Sequence, residues 1–126
     1  PGAKEFLEKH FELQDLLMFV ASGTPEAELR EEIEKRNLEL FFKECYGTPG
    51  NKIEIIERIL ESYGFSPGEV VFVGDAGTDL NSARKTGLHF IGRNTPDNRE
   101  IFKDEKYTVD NISEIDKIIR KIEDIR

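Results

Sequence analysis

Cysteine is almost missing from this sequence: Cys45 is the single one in 126 residues. No internal disulfide is possible, and a reducing, cytoplasmic setting is expected. Long apolar runs are also lacking. The longest, LLMFVA over residues 16–21, falls well short of the ~20 residues that a membrane helix needs, so no membrane partner is expected. No basic region leads into an apolar stretch at the N-terminus, which argues against a signal peptide. Positive charge is in deficit, with 18 Lys and Arg against 26 Asp and Glu and a net charge of −8. Such a chain is not built to neutralise nucleic-acid phosphates or to lie on an anionic membrane, although it can hold a small phosphate locally. Internal repeats, low-complexity segments and linkers are absent too. One domain over residues 1–126 is expected.

What is present is an alternation of helix and strand patterns. Ala3, Phe6, Leu7, His10 and Phe11 recur at helical spacing, and residues 16–21 read as a buried strand. Thr24 is placed to cap a second helix over residues 26–37, with Pro25 in its first turn. FFKECYGTPGNK reads as a short extended piece and a loop. Ile56, Ile59, Leu60 and Tyr63 mark a helix face closed by Gly64, and SPGE turns into a strand over 70–73. A helix over 80–86, a strand HFIG, a polar loop RNTPDN and a small strand YTV follow. The terminal helix carries Ile115, Ile118, Ile119, Ile122 and Ile125. This alternation predicts an α/β fold: a parallel sheet in a Rossmann-like three-layer α/β/α sandwich. Such sheets bind ligands at the carboxyl ends of their strands.

The segment VVFVGDAGTDLNSARKTG places Asp75 and Asp79 four positions apart at such a strand end, with Gly74 expected to let the backbone turn sharply. Hard oxygen ligands there suit Mg²⁺, which keeps waters and takes one or two carboxylates plus substrate phosphate. The same acids also suit the positive N-terminus of the following helix as caps. Ser22, just past the first strand, offers a hydroxyl and neighbouring Gly23 a turn N–H for an anionic oxygen, or else a helix cap. Lys52, after a Gly- and Pro-containing loop, offers a point charge for phosphate or a solvated surface amine.

Taken together and in this order, Ser22, Lys52 and Asp75 with Asp79 resemble the second, third and fourth motifs of the haloacid dehalogenase-like superfamily of phosphohydrolases. The 23 positions from Lys52 to Asp75 resemble its usual spacing, and PGAKEFLE and NSARKTG resemble its flanking segments. The resemblance implies catalytic roles for all four residues. Ser22 and Gly23 would bind the phosphoryl group, and Lys52 would offset charge on the phosphate and the nucleophile. Asp75 would ligate Mg²⁺, with Asp79 assisting through a metal-bound water or by orienting Lys52. It also implies an aspartyl-phosphate intermediate and a phosphorylated small-molecule substrate. A dehalogenase has no phosphate charge to neutralise, so the acid pair favours a phosphatase or phosphomutase. Only 29 residues separate Ser22 from Lys52, leaving no room for a large substrate domain there. Any cap is expected upstream, as in the phosphoglycolate phosphatase-like branch.

The superfamily's first motif, Asp-x-Asp, which supplies the nucleophile, has no match. Asp15 precedes a strand instead of following one. The core is therefore expected to lack its first, central strand, supplied by an N-terminal segment or partner outside these residues together with the cap. Two further readings stand beside this one: a non-catalytic phosphate- or Mg²⁺-binding module, and a phospho-acceptor signalling domain, whose usual order of acids and lysine differs from the order here. His10, His89 and Cys45 are expected to be packing residues, and Arg93 and Asn94 fall at the ligand edge, where they could touch substrate or cap a loop.

Overall fold

The computed structural model describes residues 2–13, 16–48 and 51–125. Asp15, Pro49 and Gly50 of the GTPGNK loop, and the side chain of Ile125 lie outside the described residues. The elements run α1 (Ala3–Leu13), β1 (Phe19–Pro25), α2 (Glu26–Lys35), β2 (Glu44–Thr48), α3 (Lys52–Tyr63), β3 (Val71–Gly74), α4 (Gly77–Thr86), β4 (His89–Arg93), α5 (Arg99–Phe102), β5 (Thr108–Val109) and α6 (Ile115–Ile125).

All strand pairs are parallel. They form two half-sheets, β1–β2 and β3–β4–β5, and among the described residues no ladder joins them. This matches the expected parallel α/β core. Alternation along β3 shows why the sheet is covered on both faces: Val71 and Val73 pack with Ile91, Val109 and the α6 stripe Ile115, Ile118 and Ile122. Phe72 points the other way, toward Phe90, which in turn meets Phe102 of α5. On the other half-sheet, Phe19, Ala21 and Tyr46 pack against Ile55 and Ile59 of α3.

Several helix ends are set by local chemistry. Asn51 caps α3 by accepting from the Glu54 N–H at 2.9 Å. Gly64 and Gly87 end α3 and α4 at φ +71° and +80°, a left-handed conformation that glycine takes without strain.

Three expectations need correction. The first strand begins at Phe19 and runs through Ser22 to Pro25, not over 16–21. Its partner explains this: Phe19, Val20 and Ala21 pair with Glu44, Cys45 and Tyr46, and after an irregular step Pro25 pairs with Thr48. Thr24 does not cap α2; the cap position is Pro25, and α2 ends at Lys35. The loop after β4 also contains a short helix, α5, that the polar composition concealed.

Helix α1 spans the two halves. Phe6 joins the core under α6, and Phe11 meets Phe41 edge-on at 5.5 Å beside β2. Asp116 of α6 receives Lys9 Nζ at 2.7 Å and His10 Nε2 at 2.6 Å. Each buried isoleucine of α6 contributes about 2 kcal/mol, whereas a partly exposed ion pair gives about 0–1 kcal/mol. The stripe therefore anchors α6, and the pairs fix where α1 lies.

Burial pushes the Asp116 carboxyl up, but the hydrogen bonds from Lys9 and His10 outweigh it and hold the group below its ordinary 3.8. A carboxylate held low stabilises the fold above its unfolded pKa and loses that contribution as pH falls through the folded one. Asp116→Asn is therefore expected to lower the urea midpoint near neutrality, with the gap to wild type closing below pH 3.8. A gap independent of pH would contradict this.

Candidate active site

The chain leaves β3 at Gly74 and enters α4 within three residues. Asp79, at the third position of α4, turns back so that one oxygen accepts from the N–H groups of Asp75 and Ala76, each at 3.2 Å. It does so directly over Gly74, where an added β-carbon would come within 2.7 Å of the Asp79 carboxyl carbon. Gly74 is thus needed for close approach and not for a sharp turn; its φ is not among the positive ones. The capping role foreseen for the acids holds for Asp79.

The other Asp79 oxygen receives the Lys52 ammonium. Lys52 opens α3, where the helix dipole disfavours a cation, and the buried Asp79 carboxylate, only 4% exposed, offsets that cost. Both oxygens of Asp79 are therefore committed to partners. Asp75, by contrast, is exposed and its carboxylate makes no hydrogen bond or ion pair among the described residues.

At the end of β1, Ser22 falls in the irregular step of the ladder between Ala21 and Pro25. Its Oγ accepts from the Thr24 N–H at 3.1 Å, which leaves the hydroxyl proton available to donate. Ser22, Gly23, Lys52, Asp75 and Asp79 all line one cavity of about 380 Å³ between the carboxyl ends of β1 and β3. The structure brings these five sequence candidates together, whereas Asn94, also expected at the ligand edge, does not line the cavity and donates to Asp110 at 3.1 Å. Among the described residues there is no cluster of three or more His, Cys, Asp or Glu able to hold a metal.

Two residues add to the site. Arg93, at the end of β4, also lines the cavity. Asn98, buried at 3% exposure, donates to the carbonyls of Asp75 and Arg93 at 2.7 and 2.8 Å and accepts from the Thr95 N–H at 2.7 Å. It fixes the ends of β3 and β4 to each other. Nothing in the sequence marked it, because a single Asn in a polar loop carries no spacing signal. His10 and His89 lie away from the cavity, His89 touching the Gly68 carbonyl at 3.1 Å. Burial pushes the Cys45 thiol up, which disfavours the thiolate needed for reactivity.

Residues 1–93 match the family model described as haloacid dehalogenase-like hydrolase. Among curated proteins none matches the sequence. Solved structures give the same fold. A predicted phosphoglycolate phosphatase from Haemophilus somnus is 22% identical with a TM-score of 0.81, over 94% of this chain and 56% of that one. A HAD-superfamily hydrolase from Ehrlichia chaffeensis is 24% identical with a TM-score of 0.77, over 96% and 57%. A predicted phosphatase from Clostridium acetobutylicum is 20% identical with a TM-score of 0.80, over 95% and 59%. The chain thus spans less than three fifths of each of these structures.

Removing Lys52 alone leaves the Asp79 carboxylate buried without its counter-charge, so Lys52→Met is expected to cost about 3 kcal/mol. The double variant Lys52→Met with Asp79→Asn is expected to recover a large part of this, because the amide oxygen of the introduced asparagine still serves the two N–H groups. Urea unfolding of the cycle tests it; additive losses would show that the pair is not coupled.

Proposed function

The chain belongs to the haloacid dehalogenase-like hydrolase family, and on that premise we propose that it forms the phosphate-binding part of a Mg²⁺-dependent phosphoester hydrolase. Its substrates are phosphorylated small molecules, and its setting is the cytoplasm. The observation that carries the proposal is the convergence of Ser22, Gly23, Lys52, Asp75 and Asp79 on one cavity at the carboxyl ends of parallel strands.

The division of labour follows from what each side chain has free. The Ser22 hydroxyl donates to a phosphoryl oxygen, with the backbone N–H of Gly23 beside it. The Lys52 ammonium, aimed by Asp79, lowers the charge of the phosphoryl group as it transfers. Phosphoryl transfer depends mainly on this kind of positioning and charge stabilisation. Asp79 acts by orienting Lys52 and fixing the loop, since both its oxygens are occupied.

The donor set fits Mg²⁺, which needs few protein ligands and prefers hard oxygens. Asp75 would hold it, and the ion would supply further charge compensation to the phosphoryl oxygens. No helix among the described residues is long and apolar enough to cross a membrane.

The aspartyl-phosphate route needs a carboxylate nucleophile at the head of a central strand. That strand comes from outside these 126 residues and fills the gap between β1 and β3. The same binding residues would serve a phosphomutase, which differs in the acceptor of the phosphoryl group. A non-catalytic phosphate-binding module is the second reading, favoured by one observation: Asp75 is the only carboxylate with unoccupied oxygens among the described residues lining the cavity.

A protein that carries these residues together with an Asp-x-Asp strand is expected to hydrolyse phosphomonoesters with Mg²⁺ and to stop on chelation. Asp75→Asn should lower its kcat/KM by about 10²–10³, while the 126-residue chain alone should show no turnover. Metal-independent turnover, or turnover by the isolated chain, would contradict the assignment.

A further inference from the structure

Lys52 and Arg93 stand apart from the other basic residues of this acidic chain. Among the described residues they are the only lysine and arginine that are half-buried rather than exposed, and both line the same cavity. Their circumstances differ. Lys52 is paired with Asp79, whereas the Arg93 guanidinium has no hydrogen bond or ion pair among the described residues.

That lack of a partner is not for want of acids, which outnumber bases 26 to 18. Arg30, Arg36 and Arg84 each reach a glutamate even at exposed positions. Of the acids near Arg93, Asp110 is engaged by Asn94 Nδ2 at 3.1 Å, and Asp75 faces the cavity as the candidate metal ligand. Arginine cannot shed its charge by losing a proton. An anion is therefore the strongest partner that a half-buried guanidinium can take.

The position of Arg93 is also rigidly set. It pairs with Val109 in the β4–β5 ladder, and its carbonyl is held by buried Asn98. Next to it, Gly92 admits the Phe102 ring so closely that an added β-carbon would lie 2.8 Å from it. A planar fork on so fixed a backbone is suited to bidentate capture of a carboxylate or phosphate. Ser22 lies on β1, across the gap, while β4 lies one strand spacing, about 4.8 Å, beyond β3. A phosphoryl group held by Ser22 and Lys52 leaves the Arg93 fork open.

We propose that Arg93 is a specificity-determining residue that binds a second anionic group, so that the site takes ligands carrying a phosphoryl group and another anion. The inference rests on the phosphate-site reading above. The second anion is a carboxylate or a second phosphoryl group, both of which match the fork.

The test is calorimetric titration of the 126-residue chain, without divalent cations, with orthophosphate, pyrophosphate and phosphonoacetate. Wild type is expected to prefer at least one two-anion ligand to orthophosphate. In Arg93→Gln that preference should fall by about 10-fold to 100-fold, in Arg93→Lys by less, and in the charge control Arg99→Gln not at all. Preference for pyrophosphate alone would identify the second group as phosphoryl, and preference for phosphonoacetate would identify a carboxylate. An unchanged preference in Arg93→Gln, an equal loss in Arg99→Gln, or no preference in wild type would overturn the proposal while leaving the phosphate site intact. Failure of wild type to bind any of the three would overturn the phosphate site as well.

Discussion

The ion pair between Lys52 and Asp79 is the contact on which the site depends. Lys52 starts α3, which packs on β1–β2, and Asp79 lies in α4, which packs on β3–β4. With no ladder between β1 and β3 among the described residues, the distance from Ser22 to Asp75 is set by helices and not by backbone hydrogen bonds. The α3–α4 contact is one such link and α1 is another, with Phe6, Lys9 and His10 on one half and Phe11 on the other. Asp79 serves three ends at once. It caps α4, aims Lys52, and occupies the space that Gly74 leaves by having no side chain.

Charge explains how a strongly acidic chain is compatible with the proposed phosphate ligand. Exposed charges act over about 8 Å at physiological salt, so the net charge of −8 discourages polyanions that must cover a wide surface. A small ligand inside the cavity meets mainly the local groups. The half-buried lysine and the half-buried arginine among the described residues lie there. The edges of β1 and β3 that are unpaired among the described residues are the structural counterpart, since such edges invite another strand.

Much of this was legible in the sequence because it is written in local patterns. The isoleucine spacing over residues 115–122 marked the buried face of α6, and four apolar residues running into Gly74 marked β3. The order of Ser22, Lys52, Asp75 and Asp79 picked out four side chains that line one cavity. What escaped depends on partners distant in sequence. The extension of β1 through Ser22 to Pro25 comes from pairing with β2, not from the composition of SGTP. Asp116 lies 106 positions from His10, so no periodicity could announce the contact. Asn98 matters because it joins two strand ends 23 and 5 positions away, and the reason for Gly74 is the Asp79 side chain folded over it.

The most direct test of the central claim, that this cavity is a phosphate site assembled across two half-sheets, is a ¹H–¹⁵N correlation spectrum of the chain titrated with inorganic phosphate. The account predicts saturable shifts confined to the amides of residues 22–24, 52 and 75–77, on both sides of the gap. Shifts confined to one half-sheet, shifts elsewhere, or none would contradict it.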